Sequence, residues 1–109
     1  MFKKLFARKL RELEAKLYPV CSYGGKGELE LRWYSDGAIK CELSIEHTTV
    51  PSGSNLEFYA NKSFVGSVLI NEGSGKSYSN LKFSDVIVGS EAEIRLDGVV
   101  LYKGIFELD

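Results

Sequence analysis

Three sets of residues in this chain of 109 have types and spacing that invite chemistry. Gly73-Ser-Gly-Lys-Ser77 carries the Gly-Lys-Ser ending of a phosphate-binding loop. That pattern needs a first glycine five positions before the Gly of Gly-Lys-Ser, and the position is held by Ile70. It also needs a helix to follow, whose N-terminal amides face the phosphate, whereas Tyr78 to Phe83 reads as a strand. The stretch is therefore predicted to be a loop between strands. His47 is the only histidine, and Cys21 and Cys41 lack metal-type spacing, so no transition-metal site is composed from them. Cys41 lies on the same predicted strand as His47, roughly 20 Å away at strand rise, too far for a thiolate–imidazole pair. Cys21 stays open as its partner. Cys41 falls at an inward strand position and is expected to be a buried thiol. The carboxylates Glu28, Glu30, Glu42, Glu46, Glu91 and Glu93 alternate with apolar residues, which places them on outward strand faces beside Arg32, Lys40 and Arg95. No Asp-rich loop offers the convergent oxygens of a calcium site. No catalytic, cofactor-binding or metal-ligating residue is assigned, and the chain is read as a non-enzyme without a cofactor.

The elements that must position these residues fall into two parts by charge. Residues 1–17 hold six basic and two acidic residues, a net +4, and the remainder is −5. The overall charge of −1 recruits no nucleic acid, and no groove of basic and aromatic residues is apparent in the acidic part. The first residues form no apolar signal-peptide core, and no run reaches the length of a membrane span. The expected location is cytoplasmic, with a peripheral membrane contact as the variant.

The basic part predicts an amphipathic helix over residues 1–18. Phe2, Leu5, Phe6, Leu10, Leu13 and Leu17 follow helical spacing and make the apolar face, with Lys3, Lys4, Arg8 and Arg11 on the basic face. Pro19 stops it, and residues 19–26 read as a linker. From Gly27 the period changes to two. Leu29, Leu31 and Trp33 lead to Asp36-Gly37, after which Ile39, Cys41, Leu43 and Ile45 alternate, a strong hairpin signal. A second hairpin turns at Asn61-Lys62 and a third at Asp97-Gly98, with an isolated strand at Tyr78–Phe83 between them. The segments Gly53–Asn61 and Gly89–Asp97 superimpose without a gap, and their return strands are expected to need an insertion to align.

Seven strands in this hairpin order predict an all-β antiparallel sandwich over residues 27–109. The plan resembles that of fibronectin type III and related immunoglobulin-like domains. The resemblance implies that the fifth strand joins the first hairpin and the last hairpin joins the second. The chain departs from the family in having no tyrosine within Glu91–Leu96 and in carrying its lone Trp33 on the first strand. The function expected is a non-enzymatic interaction or structural module that uses a strand edge or sheet face for a protein partner or for self-association. The alternative is a membrane-surface adaptor held on anionic lipid by the basic helix. No small-molecule substrate is identified.

Overall fold

The computed structural model describes residues 7–109, which form eight strands and no helix. The strands are β1 (Lys9–Pro19), β2 (Lys26–Tyr34), β3 (Ile39–Glu46), β4 (Asn55–Ala60), β5 (Ser63–Leu69), β6 (Gly75–Leu81), β7 (Glu91–Leu96) and β8 (Val99–Leu108). They hydrogen-bond in the order β5-β4-β7-β8-β1-β2-β3-β6, every pair antiparallel. The two end strands of this order, β5 and β6, come together again, so the sheet curls into a nearly closed barrel.

The predicted helix is corrected by this structure. Its residues from Lys9 onward form β1, a strand bonded on both sides, to β2 and to β8. The reason lies in an ambiguity of spacing. Leu13 and Leu17 are four apart, which puts them on one face of a helix and equally on one face of a strand. Ala15 resolves the case: Leu13, Ala15 and Leu17 are all fully buried, while Glu12, Glu14 and Lys16 face outward. The Leu, Glu, Ala, Lys and Arg of this stretch favour a helix locally, and the two ladders override that preference. Leu10, placed on the same apolar face by the sequence, is exposed. Phe2, Lys3, Lys4, Leu5 and Phe6 lie outside the described residues.

The seven-stranded sandwich is corrected for the same reason. The pairings between hairpins that its plan required are present, with β6 on β3 and β7 on β4. The unforeseen strand β1 then bonds β8 to β2 and joins what would be two sheets into one. A fibronectin-like sandwich keeps those sheets separate, and this chain does not.

Inward side chains from all the strands meet in a single core, with Leu13, Leu29, Leu43, Leu56, Phe58 and Phe106 completely enclosed. At one end of the barrel a polar chain closes the core. The Tyr102 hydroxyl donates to the Gly24 carbonyl at 2.5 Å and accepts from Thr48 Oγ1 at 2.7 Å, and Thr48 Oγ1 accepts the Val50 amide at 3.2 Å. Among the described residues every buried side-chain nitrogen or oxygen has a partner. At the other end Arg11 stacks on Trp33 at 3.9 Å and donates to the Val86 carbonyl at 3.2 Å.

The β4–β5 and β7–β8 hairpins are two copies of one design. The shift that carries Gly53 onto Gly89 also carries each ladder of the first onto the second. Asn55↔Leu69, Glu57↔Ser67 and Phe58↔Gly66 become Glu91↔Ile105, Glu93↔Lys103 and Ile94↔Tyr102. Both ladders then slip by a bulge, after Phe58 and after Ile94, leaving Val65 and Leu101 as the extra residues. No insertion separates the return strands, contrary to the sequence alignment.

The lead-in turns match as well. Ser54 donates to Pro51 and Ser90 to Ile87, at 3.1 and 3.0 Å. The same bonds close both lead-ins: Gly53 N donates to Ile70 O and Ile70 N to Ser54 O, as Gly89 N donates to Phe106 O and Phe106 N to Ser90 O. Gly53 and Gly89 sit at φ 93° and 95°, a conformation that a Cβ disfavours. The copies meet along β4–β7, where Glu57 faces Arg95, Tyr59 faces Glu93 and Phe58 faces Ile94. This pairing is reciprocal, so a pseudo-two-fold axis passes between Phe58 and Ile94.

Candidate functional site

The outward face of β8-β1-β2-β3-β6 gathers carboxylates. Glu107, Glu14, Glu30 and Glu42 lie in one cross-strand row, each the ladder partner of the next. Glu12, Glu30 and Asp109 bring carboxylate oxygens within 4.8 Å of one another. Three such oxygens could address a hard cation, but cationic side chains of the chain itself occupy the same cluster. Arg32 bonds Glu30, approaches Glu42 at 3.2 Å and Glu12 at 3.8 Å, and Lys9 pairs with Glu12. Burial, reinforced by hydrogen bonding to Glu12 and Asp109, pushes the Glu30 carboxyl up to about 8 despite the pull of Arg32. Hydrogen bonding with Glu30, Asp109 and Lys9 holds the Glu12 carboxyl down at about 2. A proton on Glu30, donated to the Glu12 carboxylate, satisfies both, as expected of like charges sharing one site. The cluster is a self-neutralised surface network.

The other chemical candidates are dispersed. His47 is exposed just beyond β3, with φ 59°. Cys41 is a free, buried thiol, its pKa pushed up to about 11 by burial, and Cys21 is free and donates to the Leu101 carbonyl at 3.4 Å. Gly73-Ser-Gly-Lys-Ser77 turns at Asn71–Ser74 and runs directly into β6. A groove of about 420 Å³ on the outside of β2, β3 and β6 is lined by Lys26, Glu28, Glu46 and Lys76, with neither cysteine nor His47 among its walls. Of the residues assigned to a helix surface, Leu13 and Leu17 are core, Arg11 caps the barrel end, and the Arg8 backbone bonds to Ser35.

The feature that stands out is the seam where the barrel closes. β5 and β6 share no backbone ladder. Instead, inward-facing serines of β6 reach across: Ser77 Oγ donates to the Ser67 carbonyl and Ser79 Oγ to the Val65 carbonyl, both at 2.8 Å. Gly75 completes the row, because a Cβ there would stand 2.5 Å from the Leu69 carbonyl oxygen. Large apolar residues line this seam in the open. Phe64 is 56% exposed, Leu69 63%, Tyr78 68% and Phe83 79%. Phe64 and Phe83 share a shallow cleft of about 90 Å³ with Leu81, and Phe64 stacks edge-on against Tyr59 at 5.8 Å, itself covered by Arg95 at 4.0 Å.

Sequence reasoning missed the seam. Its signal was the alternation Gly75-x-Ser77-x-Ser79, small residues at the inward positions of a strand where bulk would be expected. The chain matches none of the protein-family models or curated proteins with which it was compared.

Proposed function

We propose that the chain is a non-enzymatic protein-interaction module whose contact surface is the β5–β6 seam. The observation that carries this reading is a coincidence of two features. Single exposed apolar side chains are ordinary on a protein surface. Four of them follow the β5–β6 junction, which lacks a backbone ladder, and offer apolar surface that a partner would cover; strand junctions of this kind are favoured places for such contact. The membrane-adaptor alternative rested on a helix face, and Leu13 and Leu17 of that face are core residues of the barrel.

The test compares proteins retained by the full chain with those retained by a Phe64→Ser, Leu69→Ser, Tyr78→Ser variant and by a Lys16→Ser control at an exposed position of β1, across the barrel from the seam. Partners held by the parent and the control but lost by the seam variant support the reading. Retention by the seam variant, or loss in the control alone, refutes it.

A further inference from the structure

The duplicated hairpins give the seam a template. By the shift that carries Gly53 onto Gly89, β5 corresponds to β8, Val65 to Leu101 and Ser67 to Lys103. The free edge of β8 is filled by a strand. Its Leu101 carbonyl accepts the amide of Val20, just past β1, at 2.9 Å, and Lys103 pairs with Tyr18 on β1. At the corresponding places on β5, the Val65 carbonyl takes the Ser79 hydroxyl and the Ser67 carbonyl takes the Ser77 hydroxyl, each at 2.8 Å. Serine hydroxyls of β6 thus bond the carbonyls that, in the other copy, belong to an incoming strand.

We propose that the β5 edge is a strand-acceptor site, taking an extended segment of another protein antiparallel to β5 in the register that β1 adopts on β8. This rests on the interaction reading above and names its mode. Backbone bonds supply affinity in such additions, and alternate side chains supply selectivity. Opening exchanges two hydroxyl–carbonyl bonds for a backbone ladder, and the released serines are hydrated. β6 remains attached through its ladder to β3, from Ile39↔Leu81 to Ile45↔Gly75. The template also sets the chemistry of the guest. The position opposite Ser67 corresponds to Tyr18, which is exposed on β1, and the position opposite Ile70 corresponds to buried Ala15. The guest therefore carries an aromatic or large apolar residue outward, beside Leu69, and small or apolar residues inward.

A synthetic peptide of residues 9–20, the segment whose backbone fills the equivalent edge through Val20, is the probe. Titrated into the full isotope-labelled chain, it is expected to slow hydrogen exchange at the Ser67 amide, the counterpart of Lys103 opposite Tyr18. Ser77→Ala and Ser79→Ala remove bonds present only in the closed seam, so each is expected to tighten binding about fivefold, from one lost neutral hydrogen bond. Unchanged or weaker binding in both variants, protection confined to β8 and β2, or no binding overturns the proposal. If seam-dependent partners are found yet the Ser67 amide gains no protection when those partners bind, strand addition fails while the interaction surface stands. Melting curves of both serine variants establish that the chain is folded where binding is read.

Discussion

Phe58 and Ile94 face each other across the β4–β7 ladder, both completely buried, each the counterpart of the other in the repeated hairpin. They mark the axis of a symmetry that governs half of the barrel and fails at one place. β8 meets its next neighbour through a backbone ladder, and β5 meets its neighbour through serine side chains. At that failure Phe64, Leu69, Tyr78 and Phe83 stand exposed.

The hairpin turns differ in one costly way. Asn61-Lys62 and Asp97-Gly98 all have positive φ, with Lys62 at 69° and Gly98 at 82°. A lysine is strained there by about 1 kcal/mol and glycine is not. Lys62→Gly is expected to raise the denaturant midpoint by a stability gain of that order, and Gly98→Lys to lower it comparably. Negligible effects in both variants would show that Lys62 carries no such strain.

Closing the seam depends on the missing side chain at Gly75. A Cβ there would press on the Leu69 carbonyl and the Val68 side chain. Gly75→Ala is expected to cost about 1–3 kcal/mol, the usual range for overpacking. Its effect should be local, with faster hydrogen exchange at β5 and β6 than at β1 and β2.

The carboxylate network predicts opposite pH effects from its two members. Glu30 is raised in the folded chain, so its contribution to stability is present below the ordinary carboxylate range and is lost as pH rises through about 8. Glu12 is lowered, so its contribution is present above that range and is lost as pH falls towards about 2. Unfolding free energy measured from pH 6 to 9 should decline for the parent. Glu30→Gln, which keeps the neutral hydrogen-bonding group, should flatten that decline. A decline of the same size in the variant would assign it to other groups.

β1 is testable by a single truncation. Leu13 is fully buried between the two ladders of β1, so Leu13→Ala is expected to cost about 2–5 kcal/mol. Leu10→Ala, at an exposed position, should change stability by less than about 0.5 kcal/mol. A detached helix would make the two substitutions equivalent, and thermal melts of both variants decide between these outcomes.

Strand by strand, the later part of the chain was legible because alternation and turn chemistry are local. Leu29, Leu31 and Trp33 against Glu28, Glu30 and Arg32 describe β2 without reference to any neighbour. Asp36-Gly37, Asn61-Lys62 and Asp97-Gly98 mark their turns through backbone preferences within two residues. The Gly-Ser lead-ins at Gly53 and Gly89 were legible for the same reason. The return strands were not, since sequence similarity fades after the turn and only shared hydrogen-bond partners, Ile70 and Phe106, show that the copies stay in step.

What the sequence alone determined is the alternation of β2 and β3, the hairpin turns and which carboxylates lie on the outer strand face. What only the tertiary structure decided is the state of Lys9–Pro19 and, with it, the choice between sandwich and barrel. Leucines four apart satisfy a helix and a strand alike, and the deciding energy comes from β2 and β8, which are distant in sequence. The seam belongs to the same class. Gly75, Ser77 and Ser79 mark small residues on the inward side of β6, but only folding sets the serines against the Ser67 and Val65 carbonyls, because a side-chain bond between strands does not name its acceptor in either strand by itself.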